Sequence, residues 1–386
     1  MAACIMSAKK YDLVVYGATG FTGKLVAEYL AKRNIQNWAM AGRSNEKLNI
    51  VKKELGLAPD FPLIEADASN LDSLKNLCSQ TRCVITTVGP YQLYGNELVA
   101  TCAQSGTDYL DLCGEPAWMR HMIDAHEATA KKSGARIVFS AGFDSIPFDL
   151  GVWYLQNQAI QKYGSPAPRV KGRVRKMQGG ASGGTMASMK ATLKASIKDL
   201  QILNLLKDPF ALTPGFTGPE QPAGLMPEFD KDENVWSAPF IMAPINTKNV
   251  HRTNFLLGHH YGTDFVYDEM ILTTLGEAGR ALVDAAMKAN PFNGKGLKPG
   301  DGPSKEEREN GFYEIVFTGT YPDGKQIKAV VKGDRDPGYG STSKMISEAA
   351  LALLETESAG GIFTPGGLLA PVLIERLKKY AGLSFE

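Results

Sequence analysis

The sequence predicts an α/β protein: a doubly wound parallel sheet at the N-terminal end, followed by a second, α+β domain. Three observations carry this. Over the first 145 residues, short β-branched runs alternate with segments of helical periodicity, the pattern of βαβ units. The first strand runs directly into a glycine triplet and then an amphipathic helix. After Ser140 the texture changes to strand-like runs with few helices between them, which implies a mixed or antiparallel sheet. The chain's 386 residues suffice for two or more such units, and 44% hydrophobic with 22% charged residues excludes global disorder.

Tyr11–Tyr16 (YDLVVY) reads as a buried strand and Thr22–Arg33 as a helix with one apolar face. Asn37–Ala41 is a second strand. Ser44–Leu55 is a helix N-capped by Ser44. Pro62–Ala66 is a third strand, and Ser69–Ser79 a helix capped by Ser69. Arg82–Val88 is a fourth strand, followed by a helix over Asn96–Ser105. Tyr109–Leu112 and Ala135–Ser140 are strands on either side of a long helix, Pro116–Ser133. A helix at Phe148–Tyr163 leads through a Pro-broken linker into strand-like runs at Val170–Gln178, Thr253–Leu257, Phe265–Thr274, Phe312–Tyr321 and Gln326–Lys332. Ser188–Leu206 reads as a helix, Asp208–Asn249 and Asn290–Pro303 as long irregular loops, and Ser341–Thr356 as a helix. The expected division is residues 1–147, 148–335 and 336–386, and no fixed-period repeat is present.

The strongest chemical signal is Gly17-Ala18-Thr19-Gly20-Phe21-Thr22-Gly23, a G-x-x-G-x-x-G variant of the dinucleotide fingerprint. One glycine permits the sharp turn, a second lets a pyrophosphate approach the backbone, and a third packs the helix on the strand. The helix that follows points its N-terminal amides at the anion. Gly17, Thr19, Gly20, Phe21, Thr22 and Gly23 are therefore the expected diphosphate site of a Rossmann-type domain. The second strand ends Ala41-Gly42-Arg43-Ser44, without the acid that reads the ribose of NAD. Arg43 offers a planar fork suited to a 2′-phosphate, with Ser44 beside it, so the expected cofactor is NADP.

Other candidates lie at the carboxyl ends of later strands, where open sheets bind ligands. Asp67 follows the third strand, as an adenine neighbour or a helix cap. Gly89-Pro90 follows the fourth, where Gly89 lets backbone approach ribose or nicotinamide. Tyr91 is the leading proton donor, because a phenol can protonate an enolate or alkoxide; Asp144 is the second. Asp111, Cys113, Glu115 and Ser145 share the same rim. His121 and His126 are five apart, not an i,i+4 zinc pair, and no metal site is expected.

Six segments together resemble the saccharopine dehydrogenase-like oxidoreductases, nearest the trans-acting enoyl reductase branch. They are GATGFTGKLVAEYL, TTVGPYQLYGNELVATCAQSGTDYLDLCGEP, SAGFDSIPFDLGV, ASGGTMAS, DPFALTPG and GDRDPGYGSTSKMISEAALALL. The resemblance spans most of the chain. It implies an NADP-type Rossmann domain, a second α+β domain, and a C-terminal helical segment that returns to the first. Two features depart from the family. The last motif, Gly333-Asp334-Arg335-Asp336-Pro337-Gly338-Tyr339-Gly340, is longer than its GDPGYG. Saccharopine-type substrates carry several carboxylates and call for clustered arginines, yet Arg169, Arg173, Arg175, Arg252 and Arg280 are scattered. The long loop instead carries Phe210, Leu212, Phe216, Leu225, Met226, Phe229 and Trp236, an apolar lid or part of the core.

The expectation is an NADP(H)-dependent oxidoreductase that reduces an enoyl or carbonyl group of a lipid- or polyketide-type intermediate. A saccharopine-type amino-acid dehydrogenase and a catalytically inactive, lipid-associated relative are the alternatives. The expected partner is a small apolar or acyl substrate, with a homodimer left open. A net charge of +1 offers nothing to drive nucleic-acid binding. Five widely spaced cysteines and a short N-terminus without the apolar core of a secretory signal point to the cytoplasm. Gly360–Ile374 is apolar but broken by Pro365 and Pro371, so it reads as a buried segment or a peripheral contact with a membrane or lipid droplet.

Overall fold

The computed structural model describes residues 9–143, 145–179, 183–273, 279–281 and 302–386, with backbone alone at 183–186. Asp144 and most of Asn290–Pro303 lie outside the described residues.

The first layer is a seven-stranded sheet. Its strands are β1 (Tyr11–Tyr16), β2 (Trp38–Gly42), β3 (Leu63–Glu65), β4 (Thr81–Thr86), β5 (Asp108–Leu110), β6 (Arg136–Val138) and β13 (Gly361–Phe363). They lie in the order β13-β6-β5-β4-β1-β2-β3, and every pairing is parallel. Central parallel strands are covered on both faces, and Val14, Val15, Val84 and Ile85 are fully buried. The helices between them are α1 (Phe21–Lys32), α2 (Asn45–Glu54), α3 (Leu71–Gln80), the short α4 (Tyr91–Tyr94), α5 (Asn96–Ser105) and α6 (Pro116–Ser133). Ser44 caps α2, its Oγ accepting from Lys47 N at 3.3 Å. The cap of α3 is Asn70 rather than Ser69, because Ser69 donates both its N–H and its hydroxyl to Asp67.

Helix α7 (Ile146–Tyr163) leads into a second sheet. It begins two residues earlier than the periodicity suggests, since Pro147 fits the first turn. The second sheet contains β7 (Arg169–Gln178), β8 (Glu228–Asp230), β9 (Val235–Pro239), β10 (Val266–Leu272), β11 (Phe312–Thr320), β12 (Gln326–Gly333) and β14 (Leu383–Phe385). Its order is β14-β12-β11-β7-β10-β9-β8, and it is mixed: β7 and β10 are parallel, the other pairs antiparallel. The remaining helices are α8 (Gly183–Lys198), α9 (Leu200–Lys207), α10 (Ala243–Leu256), α11 (Lys305–Asn310), α12 (Thr342–Glu355) and α13 (Pro365–Arg376).

Three expectations are corrected here. Thr253–Leu257 is the end of α10, not a strand: Pro244 opens the helix, and burial of Val250 and Thr253 outweighs their β preference. Asp208–Asn249 is not wholly irregular, since it holds β8, β9 and the first half of α10. The helix expected at Ser188–Leu206 is two helices, broken at Asp199, whose carboxylate caps α9.

The chain's last fifty residues join both sheets. Helix α12 packs on α1, where the buried Glu348 holds Arg33, Arg376 and the Tyr29 hydroxyl. The apolar run Gly360–Ile374 forms β13 and α13 and buries Leu369, Ala370, Leu373 and Ile374. It leans on Asp149 of α7, whose carboxylate accepts from Gly366 N at 2.6 Å. Burial outweighs this bond and one from Thr253, and pushes the Asp149 carboxyl up to about 7. A carboxyl raised on folding takes up a proton, so its contribution to stability falls as pH rises from about 4 to about 7. We expect the melting temperature of Asp149→Asn, relative to the native protein, to climb across that window and level off above it. A difference independent of pH would contradict the assignment.

Candidate functional site

The carboxyl ends of β1 to β6 open into a cavity of about 1050 Å³. Its first wall is the turn between β1 and α1. Gly17 has φ +89°, a conformation that favours glycine. A Cβ on Gly23 would lie 2.2 Å from Gly17 O, so Gly23 lets α1 press against the turn. A Cβ on Gly20 would meet only Gly17 O, at 3.3 Å, and Gly20 faces the cavity. Gly20 is also the N-cap of α1 and offers no side chain to the first-turn amides. This bare, amide-lined cradle fits a dinucleotide diphosphate. Gly17, Thr19, Gly20, Phe21 and Thr22 line the cavity; Gly23 packs beneath it.

The second wall comes from β2–α2 and β3–α3. Arg43, Ser44 and Lys47 line one end of the cavity together with Asp67, Ala68 and Ser69. Lys47 was missed by sequence reasoning, although it stands four residues beyond Arg43, in the first turn of α2. The N–H and hydroxyl of Ser69, and more weakly Arg43, hold the Asp67 carboxyl below its ordinary range. Asp67 therefore stays ionised and binds its own loop; it does not cap α3, since Asn70 takes that role.

The third wall is the rim of β4, β5 and β6. Thr87, Val88, Gly89 and Tyr91 line it, whereas Pro90 stands just outside as the N-cap of α4. The Tyr91 ring faces the cavity, but its hydroxyl donates to Thr86 O at 3.3 Å and accepts from Leu112 N at 3.1 Å. Burial, with Asp111 nearby, also pushes this phenol well above its usual range. In this geometry Tyr91 ties the ends of β4 and β5 together and is not the free acid the sequence suggested. Delivery of its proton requires the bond to Thr86 to break.

Two buried carboxyls shape the rim from behind. Asp111 accepts from Cys113 N, Ser140 N and the Tyr109 hydroxyl; burial nonetheless raises it to about 7. It thereby pins Ser140, a cavity residue held at φ +60°. Glu115 stands at the N-cap position of α6 but does not cap it. Its oxygens accept instead from Tyr91 N and Gln92 N, both at 2.9 Å, and from the Ser188 hydroxyl at 2.8 Å. Gln92 donates in turn to Thr192 Oγ1 at 3.1 Å. Glu115 thus fastens α8 over the site, a role its sequence context did not signal.

The far end of the cavity is apolar, lined by Leu112, Met189, Leu193, Leu206, Ile241, Met242 and Ile245. None of the seven loop residues expected to form an apolar lid is among them. Phe210 is buried instead, edge-on to Phe216 and tilted against His251, and Phe229 meets Trp236 edge-on on the β8–β9 hairpin. The C-terminal motif closes one side. Asp336 accepts from Tyr339 N and Gly340 N and so caps a π-helical turn, Pro337–Ser341. Tyr339 then meets Phe21 edge-on, with ring centroids 4.6 Å apart.

The scattered arginines do not converge on this cavity. Arg173 is buried between Asp230 and Asp268, each at 2.7 Å, and Arg175 pairs with Glu233 and Glu314. Arg169 pairs with Asp268, and Arg252 donates to the carbonyls of Leu212 and Ile362. Arg280 lies over the Trp236 ring. His251 is buried in α10. Burial, with Lys248 nearby, depresses its imidazole to about 3, so it stays neutral beside Gln221 Oε1.

A parallel sheet with a glycine-lined diphosphate cradle and cationic residues at the ribose end defines an NADP-binding oxidoreductase. Comparison with known proteins agrees. Residues 13–138 match the saccharopine dehydrogenase NADP-binding domain. "Putative trans-acting enoyl reductase Rv2449c" of Mycobacterium tuberculosis is 38% identical over 410 residues, covering 98% of this chain and 97% of the relative. The trans-acting enoyl reductase of Mycobacterium ulcerans is 34% identical over 404 residues, 96% of each chain. In fold, the chain resembles apo saccharopine dehydrogenase (L-Glu forming) of Saccharomyces cerevisiae. The TM-score is 0.56 at 11% identity, covering 97% of this chain and 99% of the other. The chain belongs to the saccharopine dehydrogenase-like oxidoreductases, in the branch that contains these enoyl reductases.

Proposed function

We propose that the chain is an NADPH-dependent reductase of an apolar acyl substrate, acting on an enoyl double bond or a carbonyl group. One observation carries the reading: the distribution of charge around the cavity. Among the described lining residues the charged ones are Arg43, Lys47 and Asp67, all at the ribose end. Every described lining residue from Thr87 to Ile245 is neutral, and many are aliphatic. Among the described residues a substrate with several carboxylates meets no cation there, which speaks against the amino-acid dehydrogenase alternative. Cavities for a single drug-sized ligand measure about 300–1000 Å³, so this one suits a dinucleotide with part of a second molecule. The names of the mycobacterial relatives point the same way.

When bound, the cofactor supplies the hydride. The chain's own residues supply the rest. The Gly20 turn holds the diphosphate, and Arg43, Ser44 and Lys47 take the 2′-phosphate. Leu112, Met242 and Ile245 keep water from the reacting carbon. Proton delivery falls to Asp144, or to Tyr91 once it leaves Thr86 O. The test is NADPH consumption with acyl thioesters bearing a 2,3-double bond or a 3-keto group. We expect turnover that improves as the acyl chain lengthens. Turnover confined to an amino acid plus an aldehyde would overturn the reading in favour of the alternative.

A further inference from the structure

The face of α8 that turns away from the cavity has no partner among the described residues. Lys190, Lys194 and Lys198 recur every fourth residue and so form one ridge. All three are exposed, as is Lys207 at the end of α9, and none makes an ion pair among the described residues. The single acidic residue of the helix pair, Asp199, is occupied in capping α9. Beside the lysine ridge runs an apolar one. Leu193 is 49% exposed, Ile197 78%, and Leu200, at the start of α9, 75%. Leu193 also lines the cavity, together with Met189. Passing round α8, one therefore meets the cavity wall, then protruding aliphatic side chains, then lysines. Tyr94 and Ile241 likewise line the cavity and stand about half exposed, with Leu93 next to Tyr94.

We propose that α8 and α9 dock on an anionic phospholipid bilayer, with the apolar rim set among the acyl chains and the lysines at the headgroups. A helix with aliphatic residues flanked by lysine is the form that lies in a membrane interface. The lysines complement anionic headgroups. The rim side chains protrude from three separate elements. A protein partner would need a matching pocket for each, whereas fluid lipid yields to all of them. Gly360–Ile374, the segment the sequence suggested for lipid contact, is mostly buried, so α8–α9 takes that part. Docking would open the cavity toward the phase in which an acyl substrate dissolves; this last step rests on the reductase reading above.

The test is co-sedimentation of the full chain with phosphatidylcholine vesicles, with and without phosphatidylserine, alongside NADPH titration of the same samples. We expect binding to the anionic vesicles only, weakened by salt. Each surface lysine contributes about fivefold, so Lys190→Glu/Lys194→Glu/Lys198→Glu should weaken binding at least about 100-fold. Ile197→Ser/Leu200→Ser should weaken it without altering charge. None of these residues lines the cavity, so NADPH affinity should stay native in every variant. Absence of binding to anionic vesicles, or binding indifferent to both sets of substitutions, would overturn the proposal. So would capture of an acidic acyl-carrying protein through the same lysines with no affinity for vesicles. Vesicle binding without NADPH binding would support the docking face and sink the reductase reading instead.

Discussion

Gly20→Val should lower NADPH affinity at least about 100-fold while leaving the fold intact. The expectation follows from where a Cβ would go. At Gly20 it meets only Gly17 O, at 3.3 Å, and otherwise points into the cavity. The backbone there, φ −79° and ψ 165°, suits any residue. The isopropyl group would fill the space a diphosphate needs and shield the first-turn amides of α1. Valine is a poorer N-cap than glycine, but such changes cost only about 1 kcal/mol. Gly23→Ala provides the contrast. Its Cβ would sit 2.2 Å from Gly17 O and 2.7 Å from Gly17 C, so backbone must shift. Overpacking of this kind costs about 1–3 kcal/mol or more. Calorimetric NADPH titration and thermal melts separate the two: Gly20→Val should lose binding and keep its melting temperature within a few degrees, and Gly23→Ala should lose stability. Native NADPH affinity in Gly20→Val would remove the diphosphate from this turn.

Arg43 and Lys47 should together set the preference for NADPH over NADH. Both line the ribose end of the cavity, and no acid ends β2 to hold a free 2′-hydroxyl. A charge-assisted hydrogen bond is worth about 1.5–3 kcal/mol, so Arg43→Ala should cost roughly 10- to 100-fold in NADPH affinity. NADH affinity should change by less than about threefold. Adding Lys47→Ala should erase the preference. Because Arg43 and Lys47 are exposed, the advantage of NADPH should shrink as salt rises from about 0.05 to about 0.5 M. Equal losses for both nucleotides would place the 2′-phosphate elsewhere.

What the sequence made legible, and what it hid, follows the range of the interactions involved. Strand β1, helix α5 and helix α6 lie where periodicity and caps placed them, because local pattern decides them. The glycine turn was legible for the same reason: its three glycines meet a local steric requirement. Lys47 had a readable signal, its i,i+4 relation to Arg43, which went unused. Thr253–Leu257 misled because a short β-branched and aromatic run fits strand or helix alike, and a proline nine residues upstream decided it. The three-residue strands β13 and β14 are too short to show a period. Glu115 reads locally as a helix cap, yet its partners are 23 and 73 residues away. Nothing in its neighbourhood foretells that the carboxylate clamps α4 and α8 together. The apolar wall of the cavity was placed on the wrong segment for the same reason, since aromatic content cannot tell core from lining.

In the proposed reading the neutral end of the cavity brings an acyl substrate against the cofactor. The most direct measurement is isotope transfer from NADPH deuterated at C4 of the nicotinamide, using a medium-chain 2-enoyl thioester and its 3-keto counterpart. The expected product carries one deuterium, at the former β-carbon of the enoyl chain or at the new carbinol carbon. Tight NADPH binding with no label in either product, and label instead in a secondary amine formed from an amino acid and an aldehyde, would contradict it.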